Sequence, residues 1–376
     1  MKDVMGLINL SKKEAGLDLG KLTKERCTAS VPFGGRYRII DFILSNMVNS
    51  GIYNVGVLVL HQYRSLLDHL GSGKEWDLHR KRDGLFILPP AFHQLSMDYK
   101  GDMQNFGANM DYLEMSSQKI VIIAGSNVIC NTDFREVVDY HREMKADITV
   151  LYEEKDPHKE DLSRYKKVEV DEEGRVKEIE DAPGRIKGNK IFLDMVVINK
   201  DSLLDIISSC YSPDMQEECN FLSEGIIPRL SELKIYGFPH RGYLAVIDSL
   251  TSYYKHSMDL LLPEVSRELF FDPGFIYTKV NDEPPAKYSA NAQVQHSLVA
   301  NGCLIEGEVK NSILFRGVRV HKDVVIKDSI IMQKSEISPG ATLENVIIDK
   351  DVHISGGQEL KGKKNDPLVV GKKERR

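Results

Sequence analysis

Short runs that are apolar at nearly every position alternate with amphipathic stretches through the first half of the chain. Residues 4–10, 53–60, 119–124 and 146–152 have that apolar character, which predicts strands covered on both faces. Residues 63–70, 110–115 and 134–145 space their apolar positions as helices do. Strand and helix alternating at this spacing predict a doubly wound α/β sheet. Ligands of such sheets sit beyond the carboxyl ends of the strands, so loops at 11–35, 71–108 and 125–132 are expected to share one crevice. Further on, residues 171–174 predict a hairpin turn and 190–198 a strand. Residues 203–209, 224–233 and 253–262 predict helices.

The pattern changes after Pro285. HSLV (296–299), NSIL (311–314), DSII (328–331) and ENVI (344–347) recur every 15 to 17 residues, with short aliphatic pairs between them. A polar, small, aliphatic step repeated without helical period predicts a β-solenoid, in which each coil buries its aliphatics against the next. An antiparallel β-domain with coincident spacing is the alternative. The expected division is an α/β domain over 1–262, a proline-punctuated linker over 263–286 and the β-solenoid over 287–376. Its end (356–376) is a basic, glycine-containing tail, expected to be mobile at its terminus.

Composition narrows the classes. The chain has 376 residues, 28% of them charged and 41% hydrophobic, with a net charge of -6. That balance excludes a generally basic nucleic-acid binder while leaving room for a local cationic pocket. No apolar run has the length of a membrane span, and the apolar part of residues 1–13 is too short for a secretory signal. Five scattered cysteines form no Cys-x-x-Cys pair, so neither a disulfide framework nor a zinc site is indicated. A cytoplasmic protein is expected.

Chemistry-bearing motifs are sparse. In PFGGRYRIIDFILSN (32–46), Gly34 and Gly35 allow a sharp turn or a close backbone approach to a ligand. Arg36 and Arg38 add forks suited to phosphate or carboxylate, followed by Asp41 in an apolar run. A turn followed by a core helix is the plainer reading. GSGK (71–74) lacks the spacing of a phosphate loop. Asp83, Asp98, Asp102 and Asp111 could face a crevice, but solvation at the surface is the plainer reading of each. By pattern alone the chain is an α/β domain with a β-solenoid and no assigned reaction.

PFGGRYRIIDFILSNMVNSGIYNVGVL, GSGKEWDL, KIVIIAGSNVI and EGIIPRL together resemble the ADP-glucose pyrophosphorylase (glucose-1-phosphate adenylyltransferase) family, in order and spacing, from about residue 4 to 355. The resemblance implies a Rossmann-like nucleotidyltransferase domain followed by a left-handed parallel β-helix. The chain departs from the family at five sites that carry its chemistry. The glycine-rich G-G-x-G-x-R-L loop becomes NLSKKEAGLDL (9–19), with Asp18 near the place of the arginine. An aspartate there repels phosphates, and bulky residues keep the backbone away from them. R-A-K-P becomes RCTA (26–29), G-T-A-D-A becomes GDMQN (101–105), and the E-K-P lysine falls near Asp181. The two carboxylates that hold Mg²⁺ for adenylyl transfer fall on Ser126 and Val246. Asp248 lies two places past Val246; on a strand it would share that face, displaced by about 7 Å.

Together these departures make the chain similar to the GlgD-type regulatory subunits of the family. That implies no catalytic residues and no metal or cofactor in this chain. Mg²⁺ and ATP would be used by a catalytic partner subunit, in a hetero-oligomer expected to be a tetramer serving bacterial glycogen synthesis. Neither a nucleic-acid nor a membrane partner is expected. The family's anion-binding effector positions fall on Arg26, Arg38, Arg64 and Lys350, with Glu25 where the family has a lysine. A phosphorylated effector is the implied ligand. Gly34, Gly35, Arg36 and Asp41 then serve as scaffold. Two other readings stay open. One is an active nucleotidyltransferase with a rebuilt phosphate loop and Asp248 as residual ligand. The other is a β-helix acyltransferase using His296, His321 or His353.

Overall fold

The apolar runs come together in one seven-stranded sheet. Its strands are β1 (Val4–Asn9), β2 (Asn54–Leu58), β3 (Gly84–Leu88), β4 (Ile120–Ala124), β5 (Ile148–Glu154), β6 (Lys190–Asn199) and β7 (Ile235–Pro239). They lie in the order β7-β5-β6-β4-β1-β2-β3. Every residue of β1, β2 and β4 is buried, as strands covered on both faces require. All pairs are parallel except those of β6, which runs antiparallel to both β4 and β5, so the sheet is mixed. The register of β6 against β5 breaks between Phe192 and Val196, and Asp194 there has φ 51°. This irregularity turns the Asp194 carbonyl to accept from the Gly125 amide at 3.4 Å.

Strand β3 was expected as loop. It is an edge strand, buried only at its ends, in a stretch rich in Gly and His. Residues 224–233 were expected as an α-helix. They follow a π-turn over Phe221–Ile226 with a 3₁₀ turn over Ile227–Arg229, because Pro228 has no N–H for a regular ladder. The expected helices form as Arg64–Leu70, Met110–Met115, Phe134–Glu143, Lys200–Cys210 and Leu250–Asp259. The stretch expected as linker contains another, Pro263–Phe271, with its proline in the first turn. No helix among the described residues is long and apolar enough to cross a membrane.

The computed structural model describes residues 1–11, 18–90, 100–158, 161–212 and 217–374. They pack as two units that interleave along the chain. Met1–Ala15, Ile43–His61 and Gly71–Gly242 form the first, around the mixed sheet. Gly16–Phe42, Gln62–Leu70 and Tyr243–Arg376 form the second, around a left-handed parallel β-helix.

Three five-stranded parallel sheets make the β-helix, each coil contributing two or three residues to each sheet. The repeated polar step lies at a corner, where His296, Asn311, Asp328 and Asn345 all have φ between 43° and 51°. Asn and Asp tolerate that left-handed conformation better than other side chains. Behind the corner a serine ladder ties the coils. The Ser312 amide donates to Ser297 Oγ at 3.1 Å, the Ser329 amide to Ser312 Oγ at 3.1 Å, and the Val346 amide to Ser329 Oγ at 3.3 Å. This register aligns Asp328 with Asn345, so the last interval is longer by one residue than the motif ENVI suggested. Ile313, Ile330 and Ile347 then stack in register and are fully buried.

Most of the basic end is a further coil of the β-helix. Glu359–Lys361 and Leu368–Val370 add the last strand to two of the sheets, and ordered contacts continue to Glu374. Residues 375 and 376 lie outside the described residues.

Candidate functional site

Two places are candidates, one in each unit. In the first unit the carboxyl ends of β1 and β4 meet the segment at Asp102. Asn9, Asp102, Gly125, Asp194 and Phe221 line a cavity of about 30 Å³ there, room for a water or two. Asp102 is 1% exposed, which corrects its expected place on the surface. Its carboxylate accepts from Asn9 Nδ2 at 2.7 Å and from the Phe221 amide at 2.7 Å. The aspartate at this motif therefore clamps three distant segments of the sheet's edge together. Asp83 and Asp111 are exposed as expected; Asp98 lies outside the described residues, as do residues 12–17 of the rebuilt loop.

The two positions expected to match the family's metal carboxylates carry none. Ser126 is buried and neutral, and Val246 is half-buried and apolar. Asp248 is not on Val246's face, because the strand Leu244–Val246 ends before it. It precedes the helix Leu250–Asp259, where its carboxylate accepts from Ser249 Oγ at 3.0 Å and its amide donates to Ser252 Oγ at 3.0 Å. Ser249 and Ser252 form the capping box of that helix. Among the described residues no group of three or more His, Cys, Asp or Glu is placed to hold a metal ion. A neutral hydroxyl and an isopropyl group do not suit Mg²⁺, which takes carboxylate oxygens at short range.

Residues 32–42 of the motif at 32–46 are scaffold in the second unit. Pro32–Phe33 and Tyr37–Arg38 pair as a hairpin whose turn is Gly34-Gly35, with φ 58° and 81°. A Cβ on Gly35 would stand 2.5 Å from Leu298 Cδ2. The glycines thus let the hairpin lie against the β-helix and do not cradle a phosphate. Arg36 is exposed and lies over the Tyr37 ring, 5.0 Å from its centroid, with Nη2 donating to the Tyr37 hydroxyl at 2.7 Å. Asp41, fully buried, accepts from the Arg38 amide at 2.9 Å and meets His69 Nε2 at 2.6 Å.

The second candidate is a group of cations in the same unit. Arg38 is half-buried, its Nη1 donating to the Ser65 carbonyl at 2.7 Å and to Ser65 Oγ at 3.0 Å. Arg26 is almost fully buried, and its guanidinium pairs with the fully buried Asp349. Next to Asp349, Lys350 is half-buried, and its ammonium makes no hydrogen bond or ion pair with any described residue. Burial lowers the Lys350 pKa, and the charges of Arg26, Arg38 and Lys372 lower it further. Burial likewise lowers that of Arg38, with Arg26 adding to the effect against Asp41 and Asp68. Cations that depress one another in this way mark a place where an anion is welcome. Arg64, in contrast, is exposed at the first residue of its helix, and the structure gives it no ion pair among the described residues.

Lys372 was not legible in the sequence. It comes from the expected tail, and only the closure of the last coil brings it to Glu25, whose Oε2 is 2.8 Å from its Nζ. Of the three histidines considered for acyl transfer, His296 is a coil corner, its Nδ1 2.8 Å from Asn311 Oδ1. His321 Nε2 lies 2.7 Å from Glu336 on the outer surface, and exposed His353 lies on the same carboxylate's other side.

Comparison with known proteins agrees with both units. Residues 15–236 match the nucleotidyl transferase family and residues 284–365 the GlmU-like C-terminal hexapeptide family. The chain is 39% identical over 354 residues to the glycogen biosynthesis protein GlgD of Bacillus subtilis (strain 168), covering 94% of this chain and 92% of that one. It is 40% identical to the glycogen biosynthesis protein GlgD of Geobacillus stearothermophilus, over 94% of this chain and 92% of the other. It is 32% identical to the glucose-1-phosphate adenylyltransferase of Bacillus mycoides (strain KBAB4), over 94% of each. With the mixed sheet, the β-helix and these relatives in agreement, the chain belongs to the glucose-1-phosphate adenylyltransferase family of nucleotidyl transferases.

Proposed function

We propose that this chain is a regulatory, catalytically impaired subunit of glucose-1-phosphate adenylyltransferase, acting in bacterial glycogen biosynthesis. The observation that carries the reading is the residue set at the family's metal positions. Ser126 and Val246 stand there, and the nearby Asp248 carboxylate is turned to Ser249 at a helix N-terminus. Without two carboxylates to hold Mg²⁺, charge on the α-phosphate of the transferred adenylyl group goes unshielded. Mg²⁺ and ATP are then used by a catalytic partner subunit, with which this chain forms a cytoplasmic hetero-oligomer, a tetramer by the family's pattern. Its own contribution is the cation group of Arg26, Arg38 and Lys350, where a phosphorylated small molecule binds and shifts the partner's activity.

Co-expression with the glucose-1-phosphate adenylyltransferase of the same organism tests the partnership. With an affinity tag on this chain alone, the catalytic subunit should co-purify in fixed stoichiometry and co-elute on size exclusion. Separate elution of the two chains at micromolar concentration would sink it.

A further inference from the structure

The cation group already has two carboxylates of its own, and they differ in kind. Asp349 is fully buried and held by Arg26, and its Oδ1 also accepts from the Lys350 amide at 2.7 Å. Removing it from that place would leave buried charges unpaired. Glu25 is different. Its side chain is 55% exposed and that of Lys372 is 23% exposed, so their 2.8 Å ion pair lies at the edge of the solvent. Such a pair is weak and open to competition.

Lys372 in turn is one of the charges that act on Lys350, along with Arg26, Arg38 and, in the opposite sense, Asp351. Glu25 is held in its ionised form first by its hydrogen bond to Lys372, with Lys373 and Arg26 adding to the effect. Glu25 is thus a monoanion drawing on one cation of the group, while Lys350, on which Lys372 also acts, has no partner among the described residues. A phosphoryl group carries close to two charges and three acceptor oxygens, enough to take two ammonium groups at once.

We propose that Glu25 is a built-in competitor at the anion site: it holds Lys372 when the site is empty and releases it to an incoming phosphorylated small molecule. Glu25 sets the threshold for anion binding, and Lys372, supplied by the last coil, is a ligand-binding residue of the site. This inference rests on the reading of the cation group as an effector site.

Calorimetric titration of the purified chain with inorganic pyrophosphate tests it, using wild type, Glu25→Gln, Lys372→Ala, the double variant and Lys350→Ala. Glu25→Gln should bind about two- to fivefold more tightly than wild type, the range spanned by exposed ion pairs. Lys372→Ala should bind more weakly, and Glu25→Gln should lose most of its gain in the Lys372→Ala background, since the two act as one pair. Should Glu25→Gln match wild type while Lys350→Ala weakens binding, the competitor is disproved and the anion site stands. Should Lys350→Ala bind as wild type does, or no protein bind at all, the effector-site reading itself fails and the inference with it.

Discussion

Arg26→Ala should destabilise the second unit by about 3–5 kcal/mol, among the largest single losses expected outside the hydrophobic core. Arg26 is 3% exposed and Asp349 not exposed at all, so truncating the guanidinium strands a carboxylate inside the β-helix. The Asp349 amide and carbonyl are already committed, to the Val370 carbonyl at 3.0 Å and the Ser335 hydroxyl at 2.8 Å, so the residue cannot turn away to find water. The cost therefore comes from desolvation rather than from a lost attraction. That makes a second variant informative. Arg26→Met with Asp349→Leu removes both charges together and should recover more than half of the loss, because no buried charge is left unpaired. Urea unfolding followed through both units checks this. An Arg26→Ala midpoint equal to wild type would mean the pair is solvated, and the site would have to be redrawn with Arg26 free for ligand.

Asp102→Ala is expected to cost about 2–6 kcal/mol in the first unit. Asn9 Nδ2 and the Phe221 amide would each lose their acceptor in a buried place, at about 1–3 kcal/mol apiece. Asp102→Asn keeps one acceptor and should fall between. If Asp102 did chemistry, Asp102→Asn would leave stability alone and abolish a reaction. The scaffold role predicts the reverse, a lower thermal midpoint with no change in what the chain binds or catalyses.

These two residues also mark how far the sequence could be read. Strands such as Val4–Asn9 and Ile120–Ala124 are buried on both faces, so unbroken apolar runs identify them. The β-helix was legible because its coils repeat a local demand: a residue at positive φ, then in three of the four repeats a serine, then aliphatics. Gly84–Leu88 was missed because this edge strand is buried only at its two ends, which gives no unbroken buried run. Pro228 was there to be read and breaks the helix expected over 224–233.

The site was less legible, for a different reason. Asp102 looks like a surface aspartate because its partners are 93 and 119 residues away. Lys372 looks like tail because 347 residues separate it from Glu25. Pattern is local, whereas burial of charge depends on which distant segments arrive. Arg26 and Lys350 were found only through family resemblance, and Arg38 stood out by its motif before resemblance gave it a role. The structure then adds what resemblance lacked: Arg26 is committed to Asp349, Arg64 stands apart in solvent, and Lys350 is left with its charge unpaired among the described residues.

The central claim is that this chain keeps the family's fold without its catalysis and acts through a partner. A turnover assay with ATP, Mg²⁺ and glucose 1-phosphate tests it most directly, run on this chain alone, the catalytic subunit alone and the two mixed. Loss of metal-held charge stabilisation is worth several kcal/mol, so the chain alone should turn over at least about 10³-fold more slowly than its partner. Adding it to the partner should change the partner's turnover or substrate KM. ADP-glucose formation by this chain alone at a rate comparable with the catalytic subunit would contradict the account.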